Sequence, residues 1–303
     1  MQQQSNPIQE KPLLTVCLIT YNHLAFIEQA IKSILAQKTN FYFNVIIADD
    51  CSKDGTADIV KEYAKNYPEI ISVILQNPNV GAGINYGQLI AAATGKYIAY
   101  LEGDDYWTDH NKLQEQINIL ESNPDYVSCF TNVLETFSEN ENDKNNFLQN
   151  GCYPKSIIGF NELIYKNYIQ TCSIVFRNYL VTPFPEWFIK LKVGDWPLHI
   201  LLSQYGTSFY INKPMAVHRN HSFGAWSNKT KLERIEATLE AYNAIQAHTK
   251  LANSRHYDKA KSNVLLSSVK YCIREKKIGK AFKYFLKGFI LFPANLYQKK
   301  LPF

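Results

Sequence analysis

Short apolar runs alternate with amphipathic segments over the first 125 residues, and this alternation constrains the fold more than any other feature. Runs typical of buried strands occur at residues 13–20, 43–50, 71–76 and 96–102. Apolar residues recur at helical spacing in the segments that follow them, at residues 23–37, 54–67, 83–94 and 112–121. A repeated strand–helix–strand order requires a mostly parallel sheet with helices on both faces, so we expect an α/β, Rossmann-like fold.

Polar clusters follow three of these predicted strands at their carboxyl ends. The clusters are Thr20-Tyr21-Asn22, Asp49-Asp50 and the stretch from Glu102 to Asp105. In open parallel sheets, ligands bind beyond the carboxyl ends of the strands. We therefore expect the three clusters to meet at one edge of the sheet.

The acidic turn in YIAYLEGDDYW (97–107) raises a problem of charge, because three carboxylates follow an apolar strand in quick succession. Carboxylates held together repel unless a cation lies between them or one takes up a proton. Mg²⁺ and similar hard cations bind one or two carboxylates together with substrate phosphates. A solvated turn is the alternative, but Asp49-Asp50 repeats the pattern at a neighbouring strand end and favours a cation.

Other classes of site are disfavoured by what the sequence lacks. No GxGxxG or GxxxxGK[ST] motif follows a predicted strand, which argues against dinucleotide and ATP sites. The six cysteines form no CxxC pair and no zinc-type spacing with histidine. The polar start MQQQSNPIQEKP has no apolar core of a signal peptide, so we expect a cytoplasmic protein.

Four motifs in a fixed order resemble one enzyme family. They are T-Y-N after the first strand, A-D-D-x-S-x-D-G-T at 48–56, a segment from Asn77 or Asn79 through Asn85, and G-K-Y-I-A-Y-L-E-G-D-D at 95–105. Together they resemble the inverting family 2 glycosyltransferases, which have the GT-A fold and use nucleoside-diphosphate sugars. The resemblance implies a metal-dependent enzyme of the hexosyltransferase class. It would transfer a sugar from a nucleoside-diphosphate sugar, with a UDP-sugar as the expected donor, to a saccharide or lipid-linked acceptor in bacterial surface-polysaccharide biosynthesis.

The resemblance also implies a domain organisation. A GT-A catalytic domain would occupy residues 1–227, with a nucleotide-sugar half at 13–125 and an acceptor half at 126–227. Residues 228–303 would form a C-terminal extension, and the apolar spacing there is helical from residue 229 to about residue 291.

Site roles follow from the same resemblance. The residues implied to bind the nucleotide sugar are Thr20, Tyr21, Asn22, Asp50, Asn85, Asp104 and Arg219. Those implied to bind Mn²⁺ or Mg²⁺ are Asp104, Asp105 and His221. Glu102 stands where many relatives have an Asp, and its longer side chain need not reach the metal.

An inverting transfer needs a general base that deprotonates the acceptor hydroxyl as its oxygen attacks. The family places an acid for this at the start of a helix beyond the metal motif, and Asp195 in V-G-D-W-P-L matches. The resemblance then leaves Trp196 to stack on an acceptor sugar. From the residues alone, Asp195 could equally be a helix cap beside a core tryptophan. Glu186 in PFPEWF is the rival candidate for the base.

Two other functions compete with this interpretation. A sugar nucleotidyltransferase would need a glycine-rich basic loop after the first strand, and TYNHLAF is not one. A non-catalytic nucleotide-sugar or glycan-binding relative would not need the three acids Asp104, Asp105 and Asp195.

The C-terminal segment carries the positive charge of the chain. From Lys270 onward there are nine Lys or Arg and one Glu, a net charge of +8, whereas the whole chain has +5. Residues 278–293 read as a basic amphipathic helix with Phe282, Phe285 and Phe289 on one side. Such a helix either lies on the inner face of the cell membrane or packs on the protein with its lysines in water.

Overall fold

A computed structural model of the chain describes residues 11–136, 147–149, 155–221, 226 and 228–294. Within them, ten strands form one sheet. The strands are β1 Leu14–Thr20, β2 Phe43–Asp49, β3 Ile71–Leu75, β4 Tyr97–Glu102, β5 Tyr106–Trp107, β6 Tyr126–Thr136, β7 Phe147–Gln149, β8 Ile157–Ile158, β9 Ile174–Arg177 and β10 Thr207–Arg219.

The strand order is β3-β2-β1-β4-β9-β6-β10-β5, with β7 on β6 and β8 on β10. Strands β1 to β4 pair in parallel, as do β6 and β10, whereas β9 runs antiparallel between β4 and β6. The register pairs Thr20 with Asp49 and Ile19 with Glu102. The predicted α/β fold and the common edge for the three polar clusters are therefore confirmed.

Helices cover both faces of the sheet. They are α1 Ile27–Leu35, α2 Thr56–Asn66, α3 Ala82–Ala92, α4 Lys112–Ser122, α5 Phe160–Leu163, α6 Glu186–Ile189, α7 Asp195–Leu202, α8 Lys231–His248, α9 Arg255–Arg274 and α10 Ile278–Leu291. Because side chains alternate along a strand, Val16 and Leu18 pack under α1 while Cys17 packs under α3.

Three elements differ from the sequence prediction. Helix α1 begins at Ile27 rather than at residue 23, because the preceding turn is tied to the loop after β2. The N–H of Leu24 donates to the side chain of Asp54 in that loop, and the N–H of His23 donates to the hydroxyl of Thr56 at the start of α2. The run QTCSIVFR (170–177) predicts one strand, but residues 171–173 form a 3₁₀ turn and β9 covers only Ile174–Arg177. The runs TSFYI (207–211) and PMAVHR (214–219) predict two short strands, but β10 is continuous over Thr207–Arg219, and bulges around Pro214 absorb its irregular pairing.

The C-terminal extension is helical, as predicted, over α8 to α10. Helix α10 lies close on α9: a Cβ on Gly288 would stand 2.9 Å from Cγ of Leu266. Ala281 and Tyr284 complete the buried side of α10. Among the described residues, none of the helices is both long enough and apolar enough to span a bilayer. Residues 295–303, which end the predicted basic segment, lie outside the described ones.

Candidate active site

The loops after β1 and β2 hold each other in place through side chain–backbone hydrogen bonds. Asn22 has a left-handed backbone (φ 54°). Its Oδ1 accepts from the Lys53 N–H at 2.8 Å, and its own N–H donates to Ser52 Oγ at 2.8 Å. Tyr21 remains 46% exposed beside this junction. Its ring is therefore available to a flat partner such as a base.

Thr20 lies beneath the acidic turn rather than in an open pocket. It is 1% exposed, and a Cβ on Gly103 would stand 2.6 Å from its Oγ1 and 2.9 Å from Nδ1 of His23. Position 103 must therefore be glycine for the turn to close over the first strand. The hydroxyl of Thr20 is thus covered by the turn, and the contact with a nucleoside implied for it stays a prediction.

Asp50 and Asn85 also have structural partners. The two carboxylate oxygens of Asp50 accept the N–H groups of Val80 at 2.8 Å and Gly81 at 3.0 Å, and the residue is 4% exposed. Asn85 is fully buried, and its Nδ2 donates to the carbonyl of Ala48 at 3.2 Å. Both residues support the site from below, and the direct ligand contacts implied for them stay predictions.

The acidic turn combines buried carboxyl groups in one place. Burial raises the pKa of Glu102 well above its usual range, and the negative charges of Asp104, Asp105 and Asp195 raise it further. Asp105 is 1% exposed, and burial raises its pKa to about 6. Its Oδ1 accepts the Arg219 N–H at 2.9 Å, whereas its Oδ2 is buried without a hydrogen-bond partner among the described residues. The raised pKa values favour proton uptake at this turn, which is one of the two ways in which the repulsion noted in the sequence can be relieved.

Two histidines face the third carboxylate. Nε2 of His221 lies 3.0 Å from Oδ2 of Asp104, and Nε2 of His23 lies 3.8 Å from the same oxygen. Burial would raise the pKa of Asp104, but the hydrogen bond from His221 lowers it below its usual value. The same bond raises the pKa of His221. His23 was missed in the sequence, although it directly follows the T-Y-N motif.

Arg219 supports the acidic turn from behind. It is 6% exposed, with its guanidinium 5.0 Å from the Phe26 ring centre and 4.4 Å from that of Tyr106. The guanidinium also donates to the carbonyl of Asp104 and to the side chain of Gln29. These partners hold the Arg219 side chain against the acidic turn, and the contact with a diphosphate implied for it stays a prediction.

The donors at this turn fit a hard divalent cation in their chemistry. Carboxylate oxygens of Asp104 and Asp105 stand beside the imidazole of His221, and the partnerless Oδ2 of Asp105 is a buried acceptor that still needs a positive partner. In the described ranges, no three His, Cys, Asp or Glu side chains already surround one point. A cation here would have to compete with the hydrogen bond between Asp104 and His221.

Asp195 opens helix α7 at the same edge. Asn167 donates its Nδ2–H to Oδ2 of Asp195 at 2.6 Å, and Asn167 is itself fixed because its Oδ1 accepts the Ile169 N–H at 3.2 Å. Burial raises the pKa of Asp195. The carboxylate is near enough to Glu102 and His218 for their charges to interact. Neither Asn167 nor His218 was identified as a site residue from the sequence.

The two remaining candidates lie away from this cluster. Trp196 is 7% exposed, its indole N–H donates to the carbonyl of Leu163 at 2.7 Å, and its ring packs 4.8 Å from that of Tyr242. Its ring packs in the core, and the stacking on an acceptor sugar implied for it stays a prediction. Glu186 has a side chain 78% exposed and pairs with Lys190 on the outer side of α6.

Comparison with known proteins identifies the chain's relatives. The family model described as "Glycosyl transferase family 2" matches residues 15–182. The uncharacterized protein Rv1520 of Mycobacterium tuberculosis is 32% identical over 75% of this chain and 67% of its own length. The putative teichuronic acid biosynthesis glycosyltransferase TuaG of Bacillus subtilis is 37% identical over 36% of this chain and 42% of its own. The dTDP-rhamnosyl transferase RfbG of Shigella flexneri is 27% identical over 82% and 88%.

Two solved structures share the fold. Staphylococcus aureus TarS 1-349 in complex with UDP-GlcNAc superposes with a TM-score of 0.58 at 15% identity, over 96% of this chain and 93% of TarS. The mannosyltransferase PcManGT from Pyrobaculum calidifontis, in complex with GDP-Man and Mn²⁺, gives 0.57 at 14% identity, over 99% and 92%. At this identity the likeness establishes the GT-A fold.

Proposed function

The chain belongs to glycosyl transferase family 2, and we propose that it is an inverting, metal-dependent glycosyltransferase. Its donor would be a nucleoside-diphosphate sugar, UDP-linked in the first instance. Its acceptor would be a hydroxyl group of a saccharide or lipid-linked saccharide in surface-polysaccharide assembly. The name of TuaG, which places that relative in teichuronic acid biosynthesis, supports a polymer as product.

The observation that carries the proposal is the setting of Asp195. Its carboxylate starts a helix at the edge where the acidic turn lies, and Asn167 orients one oxygen at 2.6 Å. Burial makes it a stronger base than a solvent-exposed aspartate, because the raised pKa favours proton uptake. As the acceptor oxygen attacks the anomeric carbon from the side opposite the diphosphate, Asp195 takes the hydroxyl proton.

The acidic turn would serve the leaving group. Asp104, Asp105 and His221 would hold Mn²⁺ or Mg²⁺, which supplies positive charge against the diphosphate when bound. Arg219 keeps the turn in place through the carbonyl of Asp104. Tyr21, with its exposed ring, would stack on the base beside the Asn22 junction.

The names of the relatives and structural neighbours include three donor nucleotides, UDP, dTDP and GDP, and we compare the first two directly. TarS was crystallised with UDP-GlcNAc, whereas RfbG, which matches most of this chain, is named as a dTDP-rhamnosyl transferase. A dTDP-sugar is therefore the second candidate donor. Calorimetric titration of the protein with UDP and with dTDP, each with Mn²⁺, decides between them.

The test of the proposed function uses Asp195→Asn, with Glu186→Gln as the matched acid-to-amide control. Nucleotide release is measured for a panel of UDP-, dTDP- and GDP-sugars with Mn²⁺, with and without acceptor oligosaccharides. Asp195→Asn should bind the nucleotide as wild type does and lose about 10²- to 10⁴-fold in transfer. Glu186→Gln should keep full activity.

Full activity of Asp195→Asn would assign the base elsewhere. Nucleotide binding without turnover by the wild-type protein on any donor would instead favour the non-catalytic, glycan-binding alternative.

A further inference from the structure

The three C-terminal helices enclose a groove that the proposed reaction does not use. Its volume is about 370 Å³, within the range of roughly 300–1,000 Å³ typical of small-molecule pockets. Apolar side chains from all three helices line it, among them Leu239, Leu265 and Ile290. The groove lies on the C-terminal extension, so its occupant is not the nucleotide sugar at the sheet edge.

Three lysines converge on this groove, Lys261 from α9 and Lys283 and Lys287 from α10. Lys261 is 8% exposed and donates to the side chain of Gln246 at 2.7 Å. Burial, and then the charge of Lys287, lowers the pKa of Lys261. No acid occurs among the described side chains that line the groove. Asp258 on α9 is near enough to oppose the lowering of the Lys261 pKa, but burial and Lys287 outweigh it. An anion in the groove would neutralise the remaining positive charge.

Helix α10 also presents an apolar face to solvent. The residues on it that are between 38% and 68% exposed are Ile278, Phe282, Phe285, Leu286, Phe289 and Ile290. At about 100° per residue they span an arc of about 140°. Lys283 and Lys287 border this arc on the side of the groove, whereas the opposite side of the helix packs on α9. Apolar face, lysines and groove therefore form one continuous surface.

We propose that this surface docks on an anionic membrane, with a lipid phosphate in the groove. The apolar arc would lie at the boundary between headgroups and acyl chains, and the lysines at the level of the phosphates. The net charge of +8 from Lys270 onward favours an anionic bilayer over a protein partner of mixed charge. This inference does not depend on the proposed glycosyl transfer, because lipid binding is measured without donor or acceptor.

The experiment is vesicle flotation of the full-length protein at low salt. Vesicles contain phosphatidylglycerol and phosphatidylcholine, or phosphatidylcholine alone. Lys283→Gln/Lys287→Gln is compared with the control Lys61→Gln/Lys65→Gln, which removes the same charge from exposed positions on α2. Each lysine near an anionic surface adds to the binding free energy, so Lys283→Gln/Lys287→Gln should lower the vesicle affinity about 30-fold. Phe282→Ser/Phe289→Ser, at positions that are 67% and 41% exposed, should lower the vesicle affinity about tenfold or more.

Support requires that wild type floats only with anionic vesicles and that the α2 control behaves as wild type. The proposal is overturned if wild type stays unbound, if both lysine pairs weaken binding equally, or if the phenylalanine variant floats unchanged. Inorganic phosphate provides the last arm. If it binds the groove lysines by calorimetry while vesicle binding is unaffected by Lys283→Gln/Lys287→Gln, the groove is a site for free phosphate and the membrane proposal fails.

Discussion

Replacing Asn167 by Ala should change the pH dependence of transfer through Asp195. The substitution removes the N–H that Asn167 donates to the carboxylate at 2.6 Å. A hydrogen bond to a charged group contributes about 1.5–3 kcal/mol. One pKa unit corresponds to about 1.4 kcal/mol, so the pKa of Asp195 should rise by about 1–2 units above its already raised wild-type value.

The sign follows from which protonation state the bond stabilises. Asn167 donates to the ionised carboxylate and so lowers its pKa, and removing the donor raises it. A general base works only when deprotonated, so the acid limb of the profile should move to higher pH by about 1–2 units. Activity well above that limb should fall much less.

The assay is kcat/KM against pH with the preferred donor and saturating Mn²⁺. Asn118→Ala, at an exposed position on α4, is the matched control and should leave the profile unchanged. Asn167→Asp keeps an acceptor for the Ile169 N–H but sets a second carboxyl against Asp195, so it should shift the limb at least as far as Asn167→Ala. An unchanged limb in both Asn167 variants would refute the link between Asn167 and the base. A shift in the alanine variant alone would trace the effect to a displaced loop.

Three further predictions concern the acidic turn and its surroundings. Asp105→Asn should abolish Mn²⁺-dependent binding of UDP or dTDP in calorimetry. The melting temperature should not fall, because the amide oxygen still accepts the Arg219 N–H. An unaltered metal-dependent affinity would show that Asp105 is not a metal ligand. Gly103→Ala should lower the free energy of unfolding, measured with urea, by about 1–3 kcal/mol, because the added Cβ would stand 2.6 Å from Oγ1 of Thr20. A variant as stable as wild type would mean that the turn moves freely. Lys112 is fully buried, and burial lowers its pKa from 10.5 to about 7. Between pH 7 and pH 10.5, Lys112 binds a proton more readily in the unfolded chain than in the folded chain. Its contribution to the free energy of unfolding therefore increases as the pH rises from 7 towards 10, by at most about 1.4 kcal/mol per pH unit. Lys112→Met should remove that gain, and parallel stability curves for the two proteins at pH 7 to 9.5 would contradict it.

Periodicity predicted the first half of the fold well, because burial on alternating faces leaves a direct trace in the residue order. Helix α3 occupies Ala82–Ala92 against a predicted 83–94. Helix α1 was overextended because its first predicted turn is fixed by hydrogen bonds from a distant loop. The antiparallel insertion of β9 between β4 and β6 has no local signal, since strand order depends on pairing between remote segments.

Among the site residues, the sequence predicted which polar residue types gather at the sheet edge, but it did not predict which of their side chains are buried. Adjacent carboxylates after a strand identified the acidic turn, because their repulsion has few solutions. Thr20, Asn85 and Arg219 carry polar groups in the right motifs, yet each is at most 6% exposed. A motif gives the identity of a residue but not the direction of its side chain. Asn167 bonds to a residue 28 positions away, from a loop without periodic pattern.

Arg219 has a consequence for the order in which the chain can assemble. It lies 114 residues after Asp105, yet its N–H binds that carboxylate and its guanidinium reaches back to the Asp104 carbonyl and to Gln29 on α1. The acidic turn is therefore complete only after β10 has docked, a contact of high sequence separation that carries a large loop-closure cost. A nascent chain that ends near residue 125 holds every strand from β1 to β5, but its acidic turn has not yet met the arginine that holds it.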